Sequence, residues 1–564
     1  MPHAVAANLL SQVPPGQGRG LLGAGLLWMP SLDQLSMLGP LWTLAGTIIA
    51  VLLAALIVGR SWRLTGSIAM IGALLTAWLS ARGAVGLDSN WSGLSPPAAA
   101  PMLVLDQYSF FFLLLLSVFL AAVTGMWMLG QGADVPERLA RKADAAEFFV
   151  LLLGSAFGMA LMSCTTNLLM ILLAVESASL PSYALAGFRK RHAPAAEASM
   201  KYVLFGAVTS AVMVYGVSLL YGQYHTLDLA TIARRISFQL SAGVGPSVLT
   251  GASLFALMIG VAFKVSAVPF HFWCPDVFEG ASIEVTTWLS VASKAAGLGL
   301  MLRIVSVLTA TLTSPSAIAW IAFAVAVMAA VTCTVGNLSA YWQTNLKRLL
   351  AFSSIAHAGY MLMAVAILWR PAGSPEGLAH PAFSAVIAYL AVYMFMNLGA
   401  FGVVACVYWA TGKETIDAFV GLGRRAPLLA VVMAVCLFSL VGLPPLGGFM
   451  VKWYLLFALY DGGWLWLVIV AVFNTLLSLY FYARVAYAMF FRDDKEAVVV
   501  RCPASARLAL VVSAAIVILT GTLWAGDLKT FADARSRDLY AVVKPAPSAP
   551  KGMTEHAESS SEAD

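Results

Sequence analysis

Lys264 sits inside the apolar run Leu254-Phe-Ala-Leu-Met-Ile-Gly-Val-Ala-Phe-Lys264-Val-Ser-Ala-Val-Pro269-Phe-His271-Phe-Trp273. A run of that length and character reads as membrane-embedded, which puts the lysine deep in a bilayer, close to a proline and a histidine. A cation near the bilayer centre costs ~2.5–3.5 kcal/mol even on the lenient insertion scale, and such residues mark paths for ions or protons. Other ionisable groups fall at similar depth. Glu176 lies in Leu172-Leu-Ala-Val-Glu176, Lys201 in Met200-Lys201-Tyr202, and Lys294 in Ser290-Val-Ala-Ser-Lys294. His357 lies in Ser353-Ser-Ile-Ala-His357, and Lys452 in Gly447-Gly-Phe-Met-Val-Lys452.

Residues of these types in one membrane suit proton relay. Desolvation lowers a lysine pKa and a nearby carboxylate raises it, so a buried lysine can hold a proton beside Glu176 and release it when the pair separates. Histidine titrates near neutrality and can pass a proton onward. Plainer roles exist for some members. Glu176 can serve as a structural ion-pair partner, Lys201 can snorkel from a helix end, and His357 can be a neutral core histidine. Lys264 and Lys294 are too deep to snorkel easily. Arg484 reads as lying near a helix edge, outside this row.

The composition explains the setting. The chain has 564 residues, 60% hydrophobic and only 11% charged, against about a quarter charged in a soluble domain. Long aperiodic apolar stretches, in place of alternating ten-residue strands, make it an all-α polytopic membrane protein. No P-loop occurs, and the net charge of +6 reports loop orientation before any nucleic-acid partner, so none is expected. The six cysteines show no CxxC spacing, so a small apolar role is expected for most, with no metal or iron–sulfur site. The N-terminus lacks a basic start followed by a compact apolar core, so no cleaved signal peptide is expected.

The pattern predicts about 14 transmembrane helices. Residues 1–36 read as an N-terminal extension, 37–146 as helices 1–3, and 147–310 as helices 4–8. Residues 311–491 read as helices 9–13, 492–539 as the final helix and its flank, and 540–564 as a disordered tail. Span 7 (near 249–274) is interrupted by Pro269, and span 12 (near 427–459) by Pro444 and Pro445. The interruptions lie five helices apart, which predicts two inverted five-helix repeats, each with one Pro-broken helix. Paired interruptions of this kind point to an ion pathway. Proline removes a backbone donor, and the freed carbonyls need partners such as buried water or lysine side chains.

Lysine and arginine crowd the odd-numbered loops: Arg60, Arg63, Arg138, Arg141, Lys142, Arg189, Lys190, Arg191, Lys347, Arg348, Lys413, Arg424, Arg425, Arg492, Lys495, Arg501 and Arg507. The even-numbered loops carry Arg82, Arg234, Arg235, Arg303 and Arg370. The positive-inside rule then places the odd loops in the cytoplasm and both termini outside.

Taken together, the motifs resemble the antiporter-like membrane subunits of respiratory complex I, most closely subunit N (mitochondrial chain 2), over about residues 104–491. The strongest piece is Ala262-Phe-Lys264-Val-Ser-Ala-Val-Pro269-Phe-His271-Phe-Trp273-Cys-Pro275-Asp276-Val-Phe-Glu279-Gly280-Ala281. Lys201-Tyr202, Asn345-Leu-Lys347-Arg348 through Tyr360, and Gly442-Leu-Pro444-Pro445 with Lys452 match as well. The Ser293-Lys294-Ala-Ala-Gly297 segment follows the N pattern, where the L and M subunits and multisubunit sodium/proton antiporters carry a histidine. The chain departs from the family at Ser282-Ile283-Glu284, where Pro-Thr-Pro is usual, and so adds a charge at the start of span 8.

The resemblance implies a proton-translocating subunit of NADH:quinone oxidoreductase in a bacterial inner membrane. Glu176 would pair with Lys264, Lys294 would connect, and Lys452 would lie on the exit side, with Lys201, His271 and His357 as accessory members. It implies no cofactor in this chain. NADH, FMN, iron–sulfur clusters and quinone would belong to other subunits, and the partners would be subunits M, L, K and J. The alternative is a subunit of a multisubunit Na+/H+ antiporter.

Overall fold

The structure is a computed structural model that describes residues 37–59, 61–86, 102–131, 144–241, 247–309, 315–367, 381–492, 500 and 502–536. The expected extension 1–36, the tail 540–564, and Arg60, Arg138, Arg141, Lys142, Arg370, Lys495 and Arg501 lie outside the described residues. Lipid offers no hydrogen bonds to a backbone, so a chain this apolar must satisfy its peptide groups internally, and it does so with helices. Among the described residues, 13 helices are long and apolar enough to cross a membrane. In chain order, α1 is Gly39–Ile57, α2 Trp62–Gly86, α3 Gln107–Gly130, α4 Ala145–Ser163, α5 Leu168–Ala186 and α6 Ala193–Tyr224. The amphipathic α7 (Leu229–Ser241) precedes α8 (Val248–Val265) and the short α9 (Trp273–Gly280). Then come α10 (Ile283–Thr309), α11 (Pro315–Ala340), α12 (Leu346–Ile367) and α13 (Pro381–Thr411). The series ends with α14 (Pro427–Val441), α15 (Gly447–Asp461), α16 (Leu465–Phe491), α17 (Ala504–Gly521) and α18 (Ala525–Ser536).

Both expected interruptions are present. Predicted span 7 stops at Val265, crosses a seven-residue break that contains Pro269, and resumes as α9. Predicted span 12 is two half-helices, α14 and α15, separated by 442–446 with Pro444 and Pro445. This pair completes the predicted set of spans beside the 13 long helices. Neither α7 nor α18 was expected. Helix α7 buries Leu229, Ile232, Ala233 and Ile236 and exposes Arg234 and Arg235, a helical period hidden by its modest apolarity.

Burial identifies the axis of the molecule. The apolar windows of α10 and α12 are buried throughout, and α13 nearly so, whereas α1, α6, α11, α16 and α17 turn much of their surface outward. The turns at the starts of α5 and α12 repeat one design. Asn167 caps α5 by accepting from Leu169 N and Met170 N and bridges to Asp228. Asn345 accepts from Lys347 N and Arg348 N and bridges to Thr415. Each asparagine satisfies amide donors that a helix start leaves free.

Arg303, counted above among loop charges, is instead buried in the last turns of α10. Its guanidinium grips both oxygens of Asp106 at 3.0 and 2.8 Å and donates to Ser109 Oγ and the Ser163 carbonyl. A bidentate pair of this kind ties α10 to the starts of α3 and the end of α4. Lys347 is likewise buried, in the first turn of α12, with Nζ 2.8 Å from both Glu414 Oε1 and the Ala281 carbonyl. Cys406 of α13 and Cys502 form a disulfide with Cα atoms 5.7 Å apart, a pairing their spacing in sequence did not suggest.

Removing one partner of a buried ion pair leaves an uncompensated charge. Asp106→Ala is predicted to destabilise the fold by about 3–5 kcal/mol. The expected readout is a marked loss of the chain from membranes and a lower thermal midpoint of the purified protein. Wild-type abundance and midpoint would contradict it.

Candidate functional site

The first break ends α8 at Ser266, whose backbone is left-handed with φ +64°. Lys264 occupies the last turn and is 2% exposed. The carbonyls freed at this helix end find partners from neighbouring elements: Phe263 O accepts from Trp273 Nε1 at 3.0 Å, and Lys264 O accepts from Ser293 Oγ at 3.0 Å. Lys264 Nζ itself has no hydrogen-bond partner and faces aromatic rings, 5.8 Å from the centre of Tyr183 and 6.0 Å from that of Tyr202. Glu176, on the neighbouring α5, acts on it electrostatically, yet its Oε1 is also buried without a partner and no ion pair closes between them. The expected Glu176–Lys264 pair is therefore open in this structure. Lys264 is buried against ring faces, and Glu176 is partly buried.

Lys294 follows a π-helical turn, Leu289–Ser293, within α10. Such turns shift the helical register and often occur at functional sites. Its Nζ donates to Cys274 Sγ at 3.3 Å and lies 4.8 Å from the centre of the Phe278 ring and 5.4 Å from that of Trp273. All three of these partners belong to α9, so the element beyond the first break makes the pocket of the lysine beside it.

The second break solves the same problem differently. Helix α14 ends at Gly442, whose φ of +91° a side chain would strain. Its last carbonyls, Leu440 O and Val441 O, accept from Lys452 Nζ at 3.0 and 2.8 Å. Those carbonyls carry the negative end of the helix dipole, so the cation offsets both orphan acceptors and dipole. Lys452 also lies 4.4 Å from the centre of the Tyr360 ring. Gly448 permits the approach of the two half-helices, because a Cβ there would collide with the Ser439 carbonyl, and its own N–H donates to Ser439 Oγ at 2.9 Å. One turn before Tyr360, His357 Nδ1 is hydrogen-bonded to Tyr389 Oη at 2.6 Å.

Lysines 264, 294 and 452 with His357 thus line the buried centre around α10 and α12. Two of the expected accessory groups do not. Lys201 is about a third exposed and pairs with Glu197 at 2.7 Å and Asp276 at 2.8 Å, because its position near the start of α6 lets it reach the rim. Asp276 also meets Arg348 at 3.1 Å, and Arg348 pairs with Glu279 at 2.5 Å. His271 sits within the first break, buried but beside a groove of about 750 Å³ that Lys201, Phe205, Phe272, Asp276 and Arg348 also line. Arg484 caps the end of α11 through the Tyr341 carbonyl at 2.7 Å, outside the central row as expected. Glu284, the residue that departs from the usual Pro, is 1% exposed and lies within electrostatic reach of buried Lys347. It therefore joins a buried charge cluster, and the turn around it stays regular, with Thr286 N bonded to Ser282 O at 2.9 Å.

Residues 165–478 match the family described as NADH:quinone oxidoreductase/Mrp antiporter, TM. The chain belongs to that family. It is 43% identical over 449 residues to NADH-quinone oxidoreductase subunit N of Anaeromyxobacter sp. (strain Fw109-5), covering 74% of this chain and 81% of that one. The subunit N of Trichlorobacter lovleyi is 37% identical over 79% of this chain and 88% of its own. Among solved structures, a chain of respiratory complex I from Thermus thermophilus aligns with a TM-score of 0.68 and 28% identity, over 88% of this chain and 99% of that one. The Mrp complex from Dietzia sp. DQ12-45-1b shares the fold, with a TM-score of 0.74 at 18% identity, over 90% and 100% of the two chains.

Within this family member, sequence reasoning missed the groups that hold the lysines and His357: Cys274, Ser293, Trp273, Tyr360 and, for the histidine, Tyr389. Their types are ordinary in a membrane helix, and only their placement opposite a lysine or histidine distinguishes them. Asp276, Glu279 and Arg348 stood in quoted motifs without a role. They now form the ionic rim around Lys201.

Gly448→Ala is predicted to force α14 and α15 apart, at about 1–3 kcal/mol for overpacking, and to weaken the Lys452 contacts with the end of α14. Coupled turnover and thermal midpoint should both fall. Gly222→Ala, whose Cβ would meet open space, should leave both unchanged. Equal behaviour of the two variants would contradict the packing argument.

Proposed function

We propose that this chain is the N-type membrane subunit of a proton-translocating NADH:quinone oxidoreductase. It would move protons as electrons pass to quinone elsewhere in the complex. The observation that carries the reading is the set of three fully enclosed lysines, 264, 294 and 452, arranged around two broken helices in a chain of this family. Each is costly in lipid, and a merely structural subunit would have no use for three.

In this reading Glu176 and Lys264 form the loading pair of the first half, and Lys294 connects it to the second. Lys452 then discharges toward the far side. In the structure the Glu176 carboxylate is not in contact with Lys264. Closure of that pair would bring the carboxylate against the ammonium, so a movement of α5 and α8 on the α6 that both pack against becomes a proton step. His357 and Tyr389 carry the proton between halves, and His271 and Lys201 serve access at the rim. Residues 147–310 and 311–491 act as two inverted five-helix units. The repeated asparagine caps with their bridges and the two breaks support that division. NADH, FMN, iron–sulfur clusters and quinone belong to other subunits, with M, L, K and J as neighbours. The setting is a bacterial inner membrane, with both termini on the non-cytoplasmic side by loop charge. Lys294 in place of histidine supports this role over that of a sodium/proton antiporter subunit.

The test is proton pumping coupled to quinone reduction in membranes carrying Lys264→Ala, with assembly followed on native gels. Assembled complex whose turnover and pumping fall together by about tenfold or more, equivalent to about 1.4 kcal/mol in barrier, is the expected result. Assembled complex that pumps at the wild-type rate would remove Lys264 from the pathway and with it the reading.

A further inference from the structure

The proton path described above leaves a gap between Lys294 on α10 and His357 on α12, and two uncharged residues stand in it. Lys294 Nζ donates to Cys274 Sγ at 3.3 Å. On its other side Cys274 Sγ contacts Ser354 Oγ at 3.8 Å, within hydrogen-bond range for sulfur. Ser354 lies one helical turn before His357 on the same helix and face, and its hydroxyl donates to the Ala351 carbonyl at 2.8 Å, so rotation about χ1 is what turns it to the imidazole. His357 in turn reaches Tyr389 Oη at 2.6 Å. Cys274, Ser354 and Lys294 are all completely buried, and rings of Trp273 and Phe278 close over the lysine. Cys274 is the hydrogen-bonding side chain that Lys294 meets in this enclosure. It sits at the start of α9, the element displaced by the first break, so its position against Lys294 depends on that break.

We propose that the Cys274 thiol and the Ser354 hydroxyl form the bridge by which a proton leaves Lys294 for His357. The proposal rests on the proton-pumping reading. The transfer is a concerted hop. An N–H bond of the Lys294 ammonium breaks as a new S–H bond forms at Cys274, and the original S–H proton passes to Ser354 Oγ. The Ser354 hydroxyl turns from the Ala351 carbonyl, and its original O–H proton goes to Nε2 of the His357 imidazole, whose Nδ1 is held by Tyr389. Lys294 ends neutral and His357 ends protonated. Cysteine and serine keep their composition, and no oxidant or reductant is required. The thiol suits this place because it has one proton to give and a lone pair to receive one, while staying neutral in an apolar enclosure where a carboxylate would be costly.

The bridge requires an exchangeable proton at position 274, not merely a volume. In membranes carrying the complete complex, with assembly followed on native gels, Cys274→Val keeps the bulk and removes the proton, whereas Cys274→Ser keeps the proton. Expected is a fall of about tenfold in coupled turnover and pumping for Cys274→Val, with Cys274→Ser near wild type. Ser354→Ala should fall similarly and Ser354→Thr should recover. If Cys274→Val does not assemble, Cys274→Ala with its smaller side chain takes its place. Wild-type pumping by the valine or alanine variant overturns the bridge, and so does an equal loss in the valine and serine variants. Lys294→Ala separates the two levels of inference. Full pumping there defeats the proton-path reading itself, whereas loss there with an unaffected Cys274→Val defeats the bridge alone.

Discussion

A backbone in lipid has to satisfy its own hydrogen bonds, and the two broken helices are where this chain does not. The different settings of Lys452 and Lys264 follow from that. Each break leaves helix-end carbonyls facing the interior, and each needs a donor that carries no water with it. At the second break the donor is a cation, Lys452, on the last two carbonyls of α14. At the first break the donors are neutral, Trp273 Nε1 and Ser293 Oγ. Lys264 is consequently left without a hydrogen bond, while Lys452 is fully engaged.

That asymmetry bears on function. A lysine held by two carbonyls has oxygen acceptors for its N–H groups. A lysine among tyrosine rings, with its carboxylate out of contact, has only ring faces to receive it. The two halves of the molecule thus hold their lysines by different contacts although their breaks look alike in sequence. A pathway with unequal sites can be biased by small motions, because closing or opening one contact changes the preferred location of the proton.

Around this sparse polar centre, charge pairs do the fastening. Arg303 with Asp106 and Lys347 with Glu414 bind the ends of the buried helices α10 and α12 to their neighbours. At the rim, Lys201, Asp276, Arg348 and Glu279 join α6, α9 and α12. Paired charges at helix ends and single charges in mid-membrane are different devices: the former balance locally, and the latter stay poised.

The sequence alone determined a great deal here, because lipid imposes strong rules. Apolar length located the spans, and proline with glycine located both breaks. The cost of burying a cation made Lys264, Lys294 and Lys452 stand out before any contact was known. It could not say whether Glu176 touches Lys264, because that depends on how α5 and α8 each seat against α6. Nor could it separate Arg303 and Lys347 from loop charges, since a buried ion pair needs a partner far away in the chain. Lys201 read as part of the central row because depth along a helix is visible in sequence but the direction a side chain faces is not. The roles of Cys274, Ser354 and Tyr389 were decided by tertiary structure alone. Each is chemically unremarkable until packing sets it within hydrogen-bond reach of an ionisable group from another helix.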